Sequence, residues 1–138
     1  MDIETKRMII LDNYEYPYNK TKGDGESIRA RNPSCIDDIT LYIKHDKSKI
    51  NSLKFTGDAC AIATSSTSLM IKYLENKTKE EALNIIDNYI KMINQEEYDK
   101  DILKDLIVYD EIYKQKNRVH CALLSFKALK EYIDKEWK

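Results

Sequence analysis

The sequence predicts an α+β domain in which a small antiparallel sheet of about three strands is covered on one face by helices. Three observations carry that expectation. Two segments with alternating apolar positions are joined by a polar turn. After Gly57 the hydrophobic period becomes helical and stays so to the end of the chain. No linker, internal repeat or low-complexity stretch divides the 138 residues, which therefore read as one domain, 1–138.

Taken in order, Ile3, Met8, Ile9 and Leu11 recur within residues 3–15 at a mixed spacing that suits a short helix, and Pro17 ends it. TKGDGE (21–26) carries two of the three glycines and reads as a loop. Ser27 to Arg31 makes a short strand ahead of Asn32-Pro33. Between Asp38 and Lys44, Ile39, Leu41 and Ile43 alternate with polar residues, the period of a half-buried strand. HDKSK (45–49) is a polar turn that leaves His45 in solvent, and Ile50 to Thr56 returns with Leu53 and Phe55 on one face, completing a hairpin. Ile62, Ser66, Leu69, Met70 and Tyr73 then share one face of a helix running to about Asn76. Thr78-Lys-Glu-Glu81 is a capping box opening a helix with Ala82, Ile86, Tyr89, Ile90 and Ile93 inward. Residues 99–116 read as amphipathic helix broken by a turn. Ala122, Phe126, Leu129 and Ile133 mark a last helix beginning near Val119.

Composition narrows the function classes. With 42% hydrophobic and 34% charged residues, the balance is that of a folded globular chain. The 23 basic and 24 acidic residues are interleaved, so no basic stripe for nucleic acid and no membrane-binding face is expected. No apolar run is long enough to span a bilayer. The acidic N-terminus differs from a secretory signal, which points to the cytoplasm, where thiols stay reduced or bind metal.

Three cysteines, Cys35, Cys60 and Cys121, cannot all pair within one chain, and each falls near an element boundary. Cys35 follows the Asn-Pro turn, with Asp37 two residues on. Cys60 lies between the second hairpin strand and a helix, where unpaired N–H groups would lower a thiol's pKa. Cys121 opens the last helix in RVHCALL, flanked by Arg118 and His120. Three thiols and one carboxylate make four donors, the number of a tetrahedral zinc site, although the wide spacing leaves their convergence to the tertiary structure. His120 is a competing ligand, a proton donor or a solvent-facing residue. Arg118 would steady a thiolate or serve as a surface cation. The hydroxyls of the small-residue run ATSSTS (63–68) read as packing and helix hydrogen bonds rather than nucleophiles.

The motifs NPSCID, GDACAIATSSTSLM and RVHCALLSFKAL, in that order, resemble those of the U-type iron–sulfur cluster assembly proteins, the family of IscU, SufU and the N-terminal domain of NifU. The segment EEYDKDILKDLIVYDEIYKQKNR, before the third motif, occupies the place of an insertion typical of the SufU branch. The resemblance implies a SufE/NifU-like fold and a zinc site formed by Cys35, Asp37, Cys60 and Cys121. It further implies a zinc-dependent sulfurtransferase role, with Cys35 accepting persulfide sulfur from a cysteine desulfurase of the SufS type, while in the IscU branch the histidine at His120 also belongs to the site. Downstream iron–sulfur scaffolds or apoproteins would receive the sulfur. The IscU branch offers the alternative of a scaffold for a [2Fe–2S] cluster or iron, with Cys121 as the main acceptor. Ile36 stands where the family has glycine; a bend needing positive φ there would displace Asp37 and offer Asp38 instead. Ala59 also replaces a glycine, and His120 stands where SufU proteins commonly have lysine.

Overall fold

A computed structural model describes residues 1–137. The chain runs α1 (Ile3–Glu15), β1 (Glu26–Arg31), β2 (Asp38–His45), β3 (Ile50–Asp58), α2 (Ala61–Leu74), α3 (Lys79–Ile93), α4 (Lys100–Leu103), 3-10 turns at Lys104–Tyr109 and Ile112–Lys114, and α5 (Lys116–Glu136). The strands form an antiparallel sheet in the order β1-β2-β3. The α+β expectation holds, with three strands as anticipated.

The alternating residues do what their period dictates. Ile39, Leu41 and Ile43 of β2 and Leu53 and Phe55 of β3 are all buried, and their face lies under the helices. Each such side chain contributes roughly 1.5–3 kcal/mol by leaving water. Tyr42 and Thr56 stand on the opposite face, their hydroxyls 3.3 Å apart.

α2 is the central helix, buried from Ile62 through Ile71. Its small side chains admit neighbours on all sides, and their hydroxyls are satisfied inside the protein. Ser65 Oγ lies 2.6 Å from Tyr109 Oη, and Thr67 Oγ1 lies 2.5 Å from Ser125 Oγ of α5. Ser68 donates to Asn13 Oδ1 of α1 and accepts from the Tyr18 amide, both at 2.7 Å. The capping box at Thr78 and Glu81 is present. Tyr89 of α3 stacks on Phe126 of α5 with ring centroids 3.7 Å apart, and its hydroxyl donates to Ala122 O.

The segment before α5 is part of this core: Leu103, Leu106, Tyr109 and Ile112 are buried. It folds as one turn of α-helix followed by two 3-10 turns, more fragmented than the amphipathic pattern suggests. α5 begins at Lys116 rather than Val119. Its N-cap, Gln115, makes no side-chain capping bond; instead the Arg118 amide bonds Gln115 O, continuing the preceding turn directly into the helix. Cys121 therefore lies inside α5, beyond its first turn. His45 is also placed differently from its solvated expectation. It is half-buried, its ring tilted over Trp137 at 4.5 Å and edge-on to Tyr132 at 6.0 Å.

Candidate metal centre

At one end of the sheet, β1 ends, β2 begins and β3 ends, with Asp38 paired to both Arg31 and Asp58. The loop between β1 and β2 carries Cys35 and Asp37, and the exit of β3 leads to Cys60. Gly57 makes that exit possible. Its φ is +122°, and an added Cβ would lie 2.0 Å from Asp38 O.

The loop is held by hydrogen bonds that start at Asn32. The Cys35 amide donates to Asn32 O at 3.0 Å, closing a turn in which Pro33 takes the second position. The Ser34 amide donates to Asn32 Oδ1 at 3.1 Å, and the Asn32 amide donates to Asp37 O at 3.0 Å. Ile36 is not among the residues with positive φ, so the loop closes without the glycine freedom of the family motif. Its side chain is 72% exposed beside Cys35.

Cys60 is the N-cap of α2. Its Sγ accepts the Ala63 amide at 3.4 Å, and its own amide donates to Asp37 Oδ1 at 2.7 Å. Its thiol is directed at Asp37 Oδ2, 3.8 Å away. Cys121 reaches the same point from α5, its sulfur 3.8 Å from Asn32 Nδ2 and 4.0 Å from Asn117 O. One ligand atom from each of Cys35, Asp37, Cys60 and Cys121 lies within 4.8 Å of the others. Asp37 and Cys121 are buried, Cys60 is half-buried and Cys35 is exposed.

Burial pushes the Cys60 thiol up against the opposing effect of the Ala63 amide, so the lowering expected from its helix-start position is overturned. Burial, then the neighbouring Asp37 and Cys60 side chains, push Cys121 up as well. Both shifts describe desolvated thiols crowded with a carboxylate. A divalent metal relieves that crowding, and the donor chemistry suits zinc or iron. A tetrahedron with bonds of ~2.3 Å has edges of about 3.8 Å, so the four donors fit such an ion with small side-chain adjustments.

Asp38 lies outside the cluster, its carboxylate bonded to the Arg29 guanidinium at 3.0 and 2.7 Å. Asp37 is therefore the acid brought to the site. Arg118 and His120 lie outside the four-residue cluster, exposed on the early turns of α5. Reading the sequence identified Asn32 only as a turn signal and missed its side-chain bond to Cys121. The signal for that contact would have been an Asn whose amide remains free after its oxygen is used in the turn. No helix among the described residues is long and apolar enough to cross a membrane.

The family model of the NifU-like N terminal domain matches residues 5–136. The zinc-dependent sulfurtransferase SufU of Bacillus subtilis is 35% identical over 132 residues, covering 94% of this chain and 90% of that protein. The iron–sulfur cluster assembly scaffold protein IscU of Streptococcus pyogenes is 34% identical, covering 91% and 80%. Among solved structures, the iron–sulfur cluster assembly scaffold protein for the SUF system (FiSufU) of the thermophile Fervidobacterium islandicum superposes with a TM-score of 0.82 at 34% identity, covering 89% of this chain and 92% of that one.

Proposed function

This chain belongs to the NifU-like N-terminal domain family, and from that premise we propose that it is a zinc-bound sulfur-relay protein of iron–sulfur cluster assembly, taking persulfide sulfur from a cysteine desulfurase of the SufS type. The observation that carries this reading is the graded exposure within the four-donor cluster. Cys35 is open, while Asp37 and Cys121 are buried and Cys60 is half-buried. Cys35, Asp37, Cys60 and Cys121 would hold the zinc, which when bound keeps its thiol ligands deprotonated near neutral pH.

The Cys35 thiolate attacks the outer sulfur of the desulfurase persulfide. A sulfur–sulfur bond to Cys35 forms as the desulfurase's own bond breaks, and the desulfurase cysteine leaves as a thiolate. No net oxidation occurs. Arg118 and His120, exposed on the early turns of α5, would assist this exchange, the guanidinium steadying the departing thiolate and the histidine supplying its proton. Scaffolds or apoproteins then take the sulfur from Cys35. A reducing, cytoplasmic setting suits three free cysteines.

A second reading is a scaffold that builds a [2Fe–2S] cluster on the same donors, favoured by the similarity to the Streptococcus IscU. Anaerobic purification, metal analysis and desulfurase turnover separate the two. Tight zinc, with turnover stimulated by the wild type and not by Cys35→Ala, supports the relay. Stable iron and sulfide without stimulation favours the scaffold.

A further inference from the structure

Asn32 is one residue bonded to three of the four candidate ligand residues. Its amide and carbonyl fix Asp37 and Cys35 through the backbone, and its side-chain Nδ2 lies 3.8 Å from the Cys121 sulfur. The side-chain orientation is determined by the site itself. Oδ1 accepts the Ser34 amide, which turns the NH2 group toward Cys121 in the buried interior. Asn32 is only 9% exposed, so this donor has little access to water.

The three sulfurs thereby divide. Cys60 receives the Ala63 amide and Cys121 receives the Asn32 amide, whereas no N–H is donated to the Cys35 sulfur among the described residues. An N–H bond to a ligating sulfur draws off charge, orients the ligand and lowers its nucleophilicity. We propose that Asn32 is the positioning residue that keeps Cys121 on the metal, leaving Cys35 as the sulfur that departs and reacts. This rests on reading the cluster as a sulfur acceptor, and it assigns a residue outside the four donors.

Asn32→Asp separates the two jobs of the side chain. The aspartate keeps an oxygen for the Ser34 amide, so the turn survives, but it presents an oxygen instead of an N–H to Cys121. The probe is Co(II) alone, bound to wild type and N32D after circular dichroism has shown both folded. The expected result is a thiolate-to-cobalt charge-transfer band shifted to lower energy and a cobalt affinity weaker by about 10–100-fold. Iodoacetamide labelling of the loaded proteins, mapped by peptide mass spectrometry, should show the share on Cys121 rising relative to Cys35. A folded N32D with the wild-type band and label distribution overturns the assignment. If N32D does not fold, NMR of cadmium-loaded wild type decides. Scalar coupling between the metal nucleus and the Asn32 side-chain amide proton supports the bond, and its absence overturns it. Persulfide mapping in wild type keeps the two readings apart. Sulfur found on Cys121 alone, with the cobalt band still shifted in N32D, sinks the Cys35 relay and leaves the Asn32 bond standing.

Discussion

Gly57→Ala should damage both the sheet and the metal centre. Gly57 pairs with Ile39, one register in from the terminal Asp38–Asp58 pair of the β2–β3 ladder, at φ +122°. A Cβ there would lie 2.0 Å from Asp38 O, 3.0 Å from Asp38 C and 3.1 Å from Ile39 Cα. All three are backbone atoms, so no side chain can swing away and the strands must part. The unfavourable dihedral costs about 1–2 kcal/mol. Loss of the terminal ladder bonds adds about 1 kcal/mol for each. A total of about 3–4 kcal/mol is a large share of the ~5–15 kcal/mol that holds a domain together. Urea unfolding of the metal-free protein should show the unfolding free energy falling by that amount, read as a lower midpoint at unchanged slope, and zinc affinity should fall with it because Cys60 follows three residues later. A variant within about 1 kcal/mol of wild type, with unchanged zinc affinity, would refute the claim that this glycine aims Cys60.

Three further outcomes are expected. Ser65→Ala removes the partner of the buried Tyr109 hydroxyl, and chemical denaturation should register a loss of about 1–3 kcal/mol. Burial, with Asp105 alongside, pushes the Tyr73 phenol up to about 12, and burial raises Tyr89 and Tyr109 as well. Their contribution to stability is complete below the unfolded phenol value near ~10 and is lost as pH rises toward the folded values, so phenolate absorbance should appear together with loss of helical ellipticity. Asp37→Asn should weaken zinc binding by at least about tenfold in a competition titration, whereas Asp38→Asn should leave it unchanged, because Asp38 is engaged by Arg29.

Much of the fold was legible because its signals were local. The alternation of Ile39, Leu41 and Ile43, the helical face after Gly57 and the Thr78–Glu81 box each need only neighbouring residues to act. The four candidate donors were legible by motif. Their meeting was not, since Cys35, Cys60 and Cys121 converge through the ends of a sheet and the interior of α5. The start of α5 was misjudged for a physical reason: Gln115 provides no side-chain cap, so the sequence carries no start signal at Lys116. The Cys60 shift was missed because a helix terminus is visible in sequence and burial is not. His45 was assigned to solvent for the same reason, its partners Tyr132 and Trp137 lying at the far end of the chain. The role of Asn32 was hidden because its turn-forming oxygen is a local feature and its bond to Cys121 is a tertiary one.

The most direct test of the sulfur-relay account is persulfide mapping. Zinc-loaded protein is mixed with a cysteine desulfurase and cysteine, quenched, digested, and searched by mass spectrometry for the peptide that has gained a sulfur atom. The account predicts the added sulfur on Cys35, with Cys60 and Cys121 unmodified and zinc retained. Added sulfur on Cys121 with Cys35 unmodified would contradict it.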